Sequence, residues 1–95
     1  MNPKQIAKLL KFPGGEIVLK GFNDIRIGRF KSIEALLLFS ASPRLNELGF
    51  HINENFFEEP HLMLYDKLKK KHNDDAFSQY KALTARLVKF CNYYS

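Results

Sequence analysis

Residues that interrupt regular structure recur at short intervals along this chain, and they set the scale of what it can build. Pro3, Phe12-Pro13-Gly14-Gly15, Ser42-Pro43, Gly49, Pro60 and Asn73-Asp74-Asp75 divide it into short segments. Proline removes a backbone donor and fixes φ, and glycine admits conformations that other residues avoid. Short elements cannot bury their apolar faces alone, so they have to share one core. At 95 residues the chain has room for a single domain, 1–95. Apolar residues make up 45% of it, with nine Phe and four Tyr, which is too rich for a disordered chain.

Most segments read as helices with identifiable ends. Asn2 can cap the first and Pro3 suits its opening turn. Ile6, Leu9 and Leu10 form one stripe, and Lys4, Lys8 and Lys11 another. Ser32 can cap a second helix carrying Ile33, Leu36, Leu37 and Phe39, with Glu34 near its positive end. Ser42-Pro43 opens another and Gly49 stops it. Pro60 opens the next, with Leu64, Tyr65 and Leu68 on its buried side. Asn73-Asp74-Asp75 breaks it and starts the last helix, where Phe77, Tyr80, Leu87, Cys91 and Tyr94 step at helical spacing.

The segment 16–30 reads differently. Ile17, Val18 and Leu19 favour a strand, as do Ile25, Ile27 and Phe30, and Asn23-Asp24 between them suits a tight turn. Gly28 suits a bulge. Phe50-His51-Ile52 suits a short third strand. The expected fold is therefore α+β: a small two- or three-stranded antiparallel sheet, with a hairpin at about 16–30, packed by four to five helices.

Several functional classes drop out. The longest apolar run, Ala35 to Phe39, is far short of the roughly 20 residues a membrane span needs. Residues Met1 to Ile6 lack the apolar stretch of a secretory signal. Cys91 is the only cysteine and can form no internal disulfide. A cytoplasmic protein is expected. His51, Glu54, Glu58, Glu59 and His61 crowd together without the paired spacing of a zinc motif, so no metal or cofactor is expected. Cys91 falls on an apolar stripe, where a thiol is inert. Glu58-Glu59 and Asp74-Asp75 sit where helix caps belong. No nucleophile elbow or phosphate-binding loop is present, and the chain reads as a non-enzyme.

Charge falls in blocks: residues 1–31 carry net +5, 32–66 net −5 and 67–95 net +5. Either the basic ends fold against the acidic middle, or a basic surface is left to meet an anion. Two kinds of candidate surface follow. Phe56, Phe57, Tyr93 and Tyr94 are adjacent pairs that helical or strand periodicity cannot bury together, and exposed aromatics favour protein interfaces. Lys20, Arg26, Arg29 and Lys31, with the run Lys67, Lys69, Lys70 and Lys71, are candidates for holding nucleic-acid phosphates. The preferred reading is a small non-enzymatic regulator or inhibitor that binds another protein or a second copy of itself. The alternative is a basic nucleic-acid-binding accessory protein that uses the hairpin and the Lys67–Lys71 run.

Overall fold

A computed structural model describes residues 2–94. Its helices are α1 (Pro3–Leu10), α2 (Gly15–Arg26), α3 (Ile33–Ser40), α4 (Ser42–Glu47), α5 (Pro60–His72) and α6 (Ala76–Tyr94), with a 3-10 turn at Asn73–Asp75 between the last two. No strand occurs among the described residues, and the architecture is all-α, 74% helical. None of the helices is long and apolar enough to cross a membrane.

The expected hairpin and its α+β class are thus overturned, and the reason lies in α2. Beyond Gly15 in its first turn, Ile17, Val18, Gly21 and Asp24 are its buried residues, and the spacing of these four is helical. Two of the four carry no apolar side chain, which hides the period. Gly21 is required by packing: a Cβ there would lie 2.6 Å from the Leu38 side chain and 2.8 Å from the Glu34 carbonyl of α3. The two helices therefore cross with almost nothing between them. Asn23 and Asp24, expected to form the turn, lie inside the last turns of α2.

Gly28 is a helix terminator and not a bulge. It adopts φ 86°, where a side chain is strained. The Arg29 N–H donates to the Asp24 carbonyl at 2.7 Å and the Gly28 N–H to the Ile25 carbonyl at 3.2 Å. This is the Schellman pattern, which satisfies carbonyls left open at a helix end. Gly49 ends α4 in the same way, with Phe50 N–H donating to Leu45 and Gly49 N–H to Asn46, both at 3.1 Å.

The expected third strand at Phe50–Ile52 is also absent. Its polar backbone is met by a side chain: Asn46 donates to the Ile52 carbonyl and accepts from the Ile52 N–H, both at 2.8 Å. The amide supplies what a neighbouring strand would have supplied, and Ile52 is buried.

The remaining helix ends follow the expectations. Asn2 and Gln5 form a capping box, with bonds of 2.9 and 3.0 Å. The Ser32 hydroxyl accepts from Ala35 N–H at 3.0 Å, and Pro43 and Pro60 stand in the first turns of α4 and α5. Asn73 takes a positive φ of 50° at the break.

Helix α3 is the centre of the molecule. Ala35, Leu36, Leu37, Leu38 and Phe39 are all buried. Successive side chains point about 100° apart, so five in a row are buried only if neighbours surround the helix. Helices α2 and α5 are its main neighbours, α6 packs on α5, and α1 packs on α2. Phe90 of α6 is fully buried and meets the rings of Phe12, Phe50 and Tyr94.

Candidate binding groove

The two loops that flank α3 and α4, together with α5, enclose an open groove of about 640 Å³. Arg29, Phe30 and Lys31 come from the α2–α3 loop, Phe56 and Phe57 from the α4–α5 loop, and Lys67 from α5. Two sets of candidates that the sequence kept apart, the basic and the aromatic, meet in one place.

The α2–α3 loop is held at both ends. Its start is fixed by the Schellman bonds, in which the Asp24 carbonyl takes the Arg29 N–H. Its far end is fixed by the Asp24 side chain. This carboxylate is 1% exposed and accepts the Ser32 hydroxyl at 2.6 Å. It also accepts both short bonds from the Lys20 ammonium, at 2.8 and 2.9 Å. Burial pushes its pKa up, but the hydrogen bonds from Lys20 and Ser32 and the charges of Lys20 and Arg29 outweigh burial and hold it below the ordinary carboxylate value. Across the groove, the Lys67 ammonium donates to the Lys31 carbonyl at 2.7 Å, joining residues 36 positions apart.

The aromatic floor grows out of the core. Phe39 is buried, and Phe56 stacks on it with centroids 5.1 Å apart and planes 9° from parallel. Phe30 tilts against Phe56 at 4.6 Å, and Phe57 meets it edge-on at 4.9 Å. Phe56 keeps 42% of its surface exposed. The cations stand around this floor. Among the described residues no carboxylate lies within 4.0 Å of the Arg29, Lys31 or Lys67 charge, whereas Lys20, Arg44, Lys70 and Arg86 do have such partners. Among the described residues, ion pairs between the acidic middle of the chain and the basic blocks are limited to Lys20–Glu34, 4.0 Å, and the local pair Lys70–Asp66, 3.2 Å.

The other candidates stand elsewhere. Lys20 is committed to Asp24, and Arg26 donates to the Asn23 side chain at 3.0 Å. Lys69 and Lys71 are exposed on α5 and do not line the groove: Lys69, two positions from Lys67, points away from it, and Lys71 shares its face but stands a full turn farther along the helix. Lys70 lies in an adjoining hollow that shares Lys31 and Lys67 with the groove. Tyr94 is half-buried against Phe12, Phe50 and Phe90, with the Lys8 ammonium 5.1 Å from its ring centre. Tyr93 is 62% exposed. Neither tyrosine lines the groove.

Sequence reasoning missed Phe30 as part of the floor, having placed it in a strand. The signal was present in Gly28 followed four residues later by the Ser32 cap: a helix stop and a helix start so close together force the intervening residues into a tight exposed loop. Cys91 is buried, and burial pushes its thiol pKa up, while the Arg44 charge acts the other way. Among the described residues no three His, Cys, Asp or Glu side chains converge as metal ligands would. Neither a protein-family model, nor a curated protein, nor a solved structure matches the chain.

Proposed function

We propose that this chain is a small non-enzymatic binding protein that regulates or inhibits another protein by holding a segment of it in the groove. The observation that carries this reading is the meeting of Phe30 and Phe56 with Arg29, Lys31 and Lys67 around one concavity. Covering an aromatic ring at the centre of an interface contributes about 2 kcal/mol or more, whereas a rim cation contributes a fraction of that.

Magnitudes favour a protein ligand over nucleic acid. Three cations can neutralise about three phosphates, and a salt dependence of about 0.7 per single-strand phosphate makes that a weak electrostatic grip. Base stacking would have to supply the rest. Phe56 is the groove ring left 42% exposed, with Phe39 stacked on it and Phe30 tilted against it, which is room for about one ring and not for a run of bases. The hairpin on which the nucleic-acid reading relied is a helix, and Lys20 and Arg26 are engaged within it.

The test is a quantitative pull-down from the native source, with and without nuclease, comparing the wild-type protein with Phe56→Ala. The proposal expects a protein that survives nuclease and is lost with Phe56→Ala. Material that disappears with nuclease, or that the variant retains in full, overturns it.

A further inference from the structure

Resting on that reading, we infer that the segment held in the groove is acidic, with carboxylates placed beside one bulky apolar side chain. The inference comes from the sign and the saturation of the charges. Arg29, Lys31 and Lys67 line the groove and no Asp or Glu does. A lining of one sign focuses its potential into the concavity and selects the opposite charge. The Lys67 ammonium has three donors and uses one on the Lys31 carbonyl, which leaves two for a ligand. The Arg29 guanidinium is suited to a carboxylate, which it can grip with two parallel bonds.

The apolar requirement comes from the floor. Arg29 and Lys31 flank Phe30 in the chain, and Phe30 packs on Phe56. A ligand that satisfied the cations alone would leave Phe56 wet. One that covered Phe56 alone would strip water from the cations without pairing them, and that is costly. Both needs are met when an aromatic or large aliphatic side chain lies on Phe56 between carboxylates. The pattern sought is therefore mixed, and neither a polyacid nor a purely apolar peptide fulfils it.

The experiment selects short random peptides, displayed on phage, against the immobilised full chain. Binding of the selected peptides is then measured on wild type, Phe56→Ala, the double charge reversal Arg29→Glu/Lys31→Glu, and the milder Arg29→Ser/Lys31→Ser. Circular dichroism checks that each variant is folded. Both charged side chains are exposed, and among the described residues neither makes a side-chain bond in the loop. Because the Arg29 charge also favours the Asp24 carboxylate that anchors the loop, the serine pair, which adds no negative charge there, serves as the control for the reversal. The expected pool is enriched in Asp and Glu beside Phe, Tyr, Trp or Leu. Its members should bind about tenfold or more weakly to Phe56→Ala and to the charge reversal, and more weakly as salt rises. Peptides that need Phe56 but show no acidic enrichment and ignore the charge reversal overturn this inference and leave the groove reading standing. Peptides indifferent to every groove variant overturn both. A single-stranded oligonucleotide that binds wild type tightly and is lost on charge reversal reassigns the groove to nucleic acid. A dimer in sedimentation that Phe56→Ala dissolves assigns it to a second copy.

Discussion

Replacing Asp24 by Asn keeps the shape of the side chain and removes its charge, which isolates what this buried carboxylate does. In the native protein it accepts from Lys20 and Ser32 while its own carbonyl takes the Arg29 N–H. A net hydrogen bond to a charged group contributes about 1.5–3 kcal/mol when buried. The Lys20 side chain is 52% exposed, so its ammonium regains water on substitution and its bond counts for less than 1 kcal/mol. The Ser32 hydroxyl can still donate to the amide oxygen. The expected loss for Asp24→Asn is therefore about 1.5 kcal/mol, which in a domain of this size lowers Tm by about 6–12 °C. Asp24→Ala, which also leaves a void and an unpartnered hydroxyl, should cost about 3 kcal/mol.

Acid supplies a second readout. The native carboxyl titrates below the ordinary carboxylate value, whereas the unfolded one titrates near pH 3.9. Over the interval between them the unfolded chain binds the proton and the native chain does not. The stabilisation is thus present above about pH 4 and disappears as pH falls through the lowered native value. Asp24→Asn should lack that part of the acid slope. The assay is thermal unfolding followed by circular dichroism across the acid range for both proteins. A variant as stable as wild type within about 0.5 kcal/mol, with an unchanged acid slope, refutes the assignment of Asp24 as the anchor of the α2–α3 loop.

Gly21→Ala forces a methyl into the Leu38 side chain and the Glu34 carbonyl, and should destabilise by about 1–3 kcal/mol in denaturant unfolding, although alanine favours helix elsewhere. The Cys91 thiol should resist a thiol-reactive dye in the native protein and react on unfolding; Cys91→Ser should fold with a modest loss of Tm. The two adjacent tyrosines should separate. Tyr93→Ala, at 62% exposure, should change stability by less than about 0.5 kcal/mol, and Tyr94→Ala, which removes three ring contacts, by about 2 kcal/mol.

The helix ends were legible because each rests on local chemistry. Asn2, Ser32, Pro43, Gly49, Pro60 and Asn73 act through their own side chains or dihedral angles, and a neighbour several residues away is enough to recognise them. Helix α2 was illegible for a tertiary reason. Its inward stripe contains Gly21, small because α3 lies against it, and Asp24, polar because Lys20 and Ser32 reach it. Without knowing that α3 is there, Ile17-Val18-Leu19 looks like a strand and Asn23-Asp24 like its turn. The spacing of Lys20 and Asp24, four residues apart, was the available helical clue. That order of charges is the less favourable one on an exposed helix, which made the clue a weak one.

The same substitution of helix for hairpin rewrites the site. On a ribbon, Lys20, Arg26, Arg29 and Lys31 would have spread along one strand pair as a band of charge, far from the lysines at the end of α5. A helix that stops at Gly28 sorts them instead. Lys20 turns inward to Asp24, Arg26 closes on Asn23, and only Arg29 and Lys31 pass into the loop that faces α5. There Lys67 reaches the Lys31 carbonyl, and the charge of α5 joins that of the first block. Of the eight candidates named from sequence, three line the groove. Three cations around an aromatic floor suit a short segment that combines charge with an apolar side chain. They are too few to hold a long polyanion, because electrostatic affinity grows with the number of phosphates engaged. The shape of α2 thus decides which of the basic residues reach the groove.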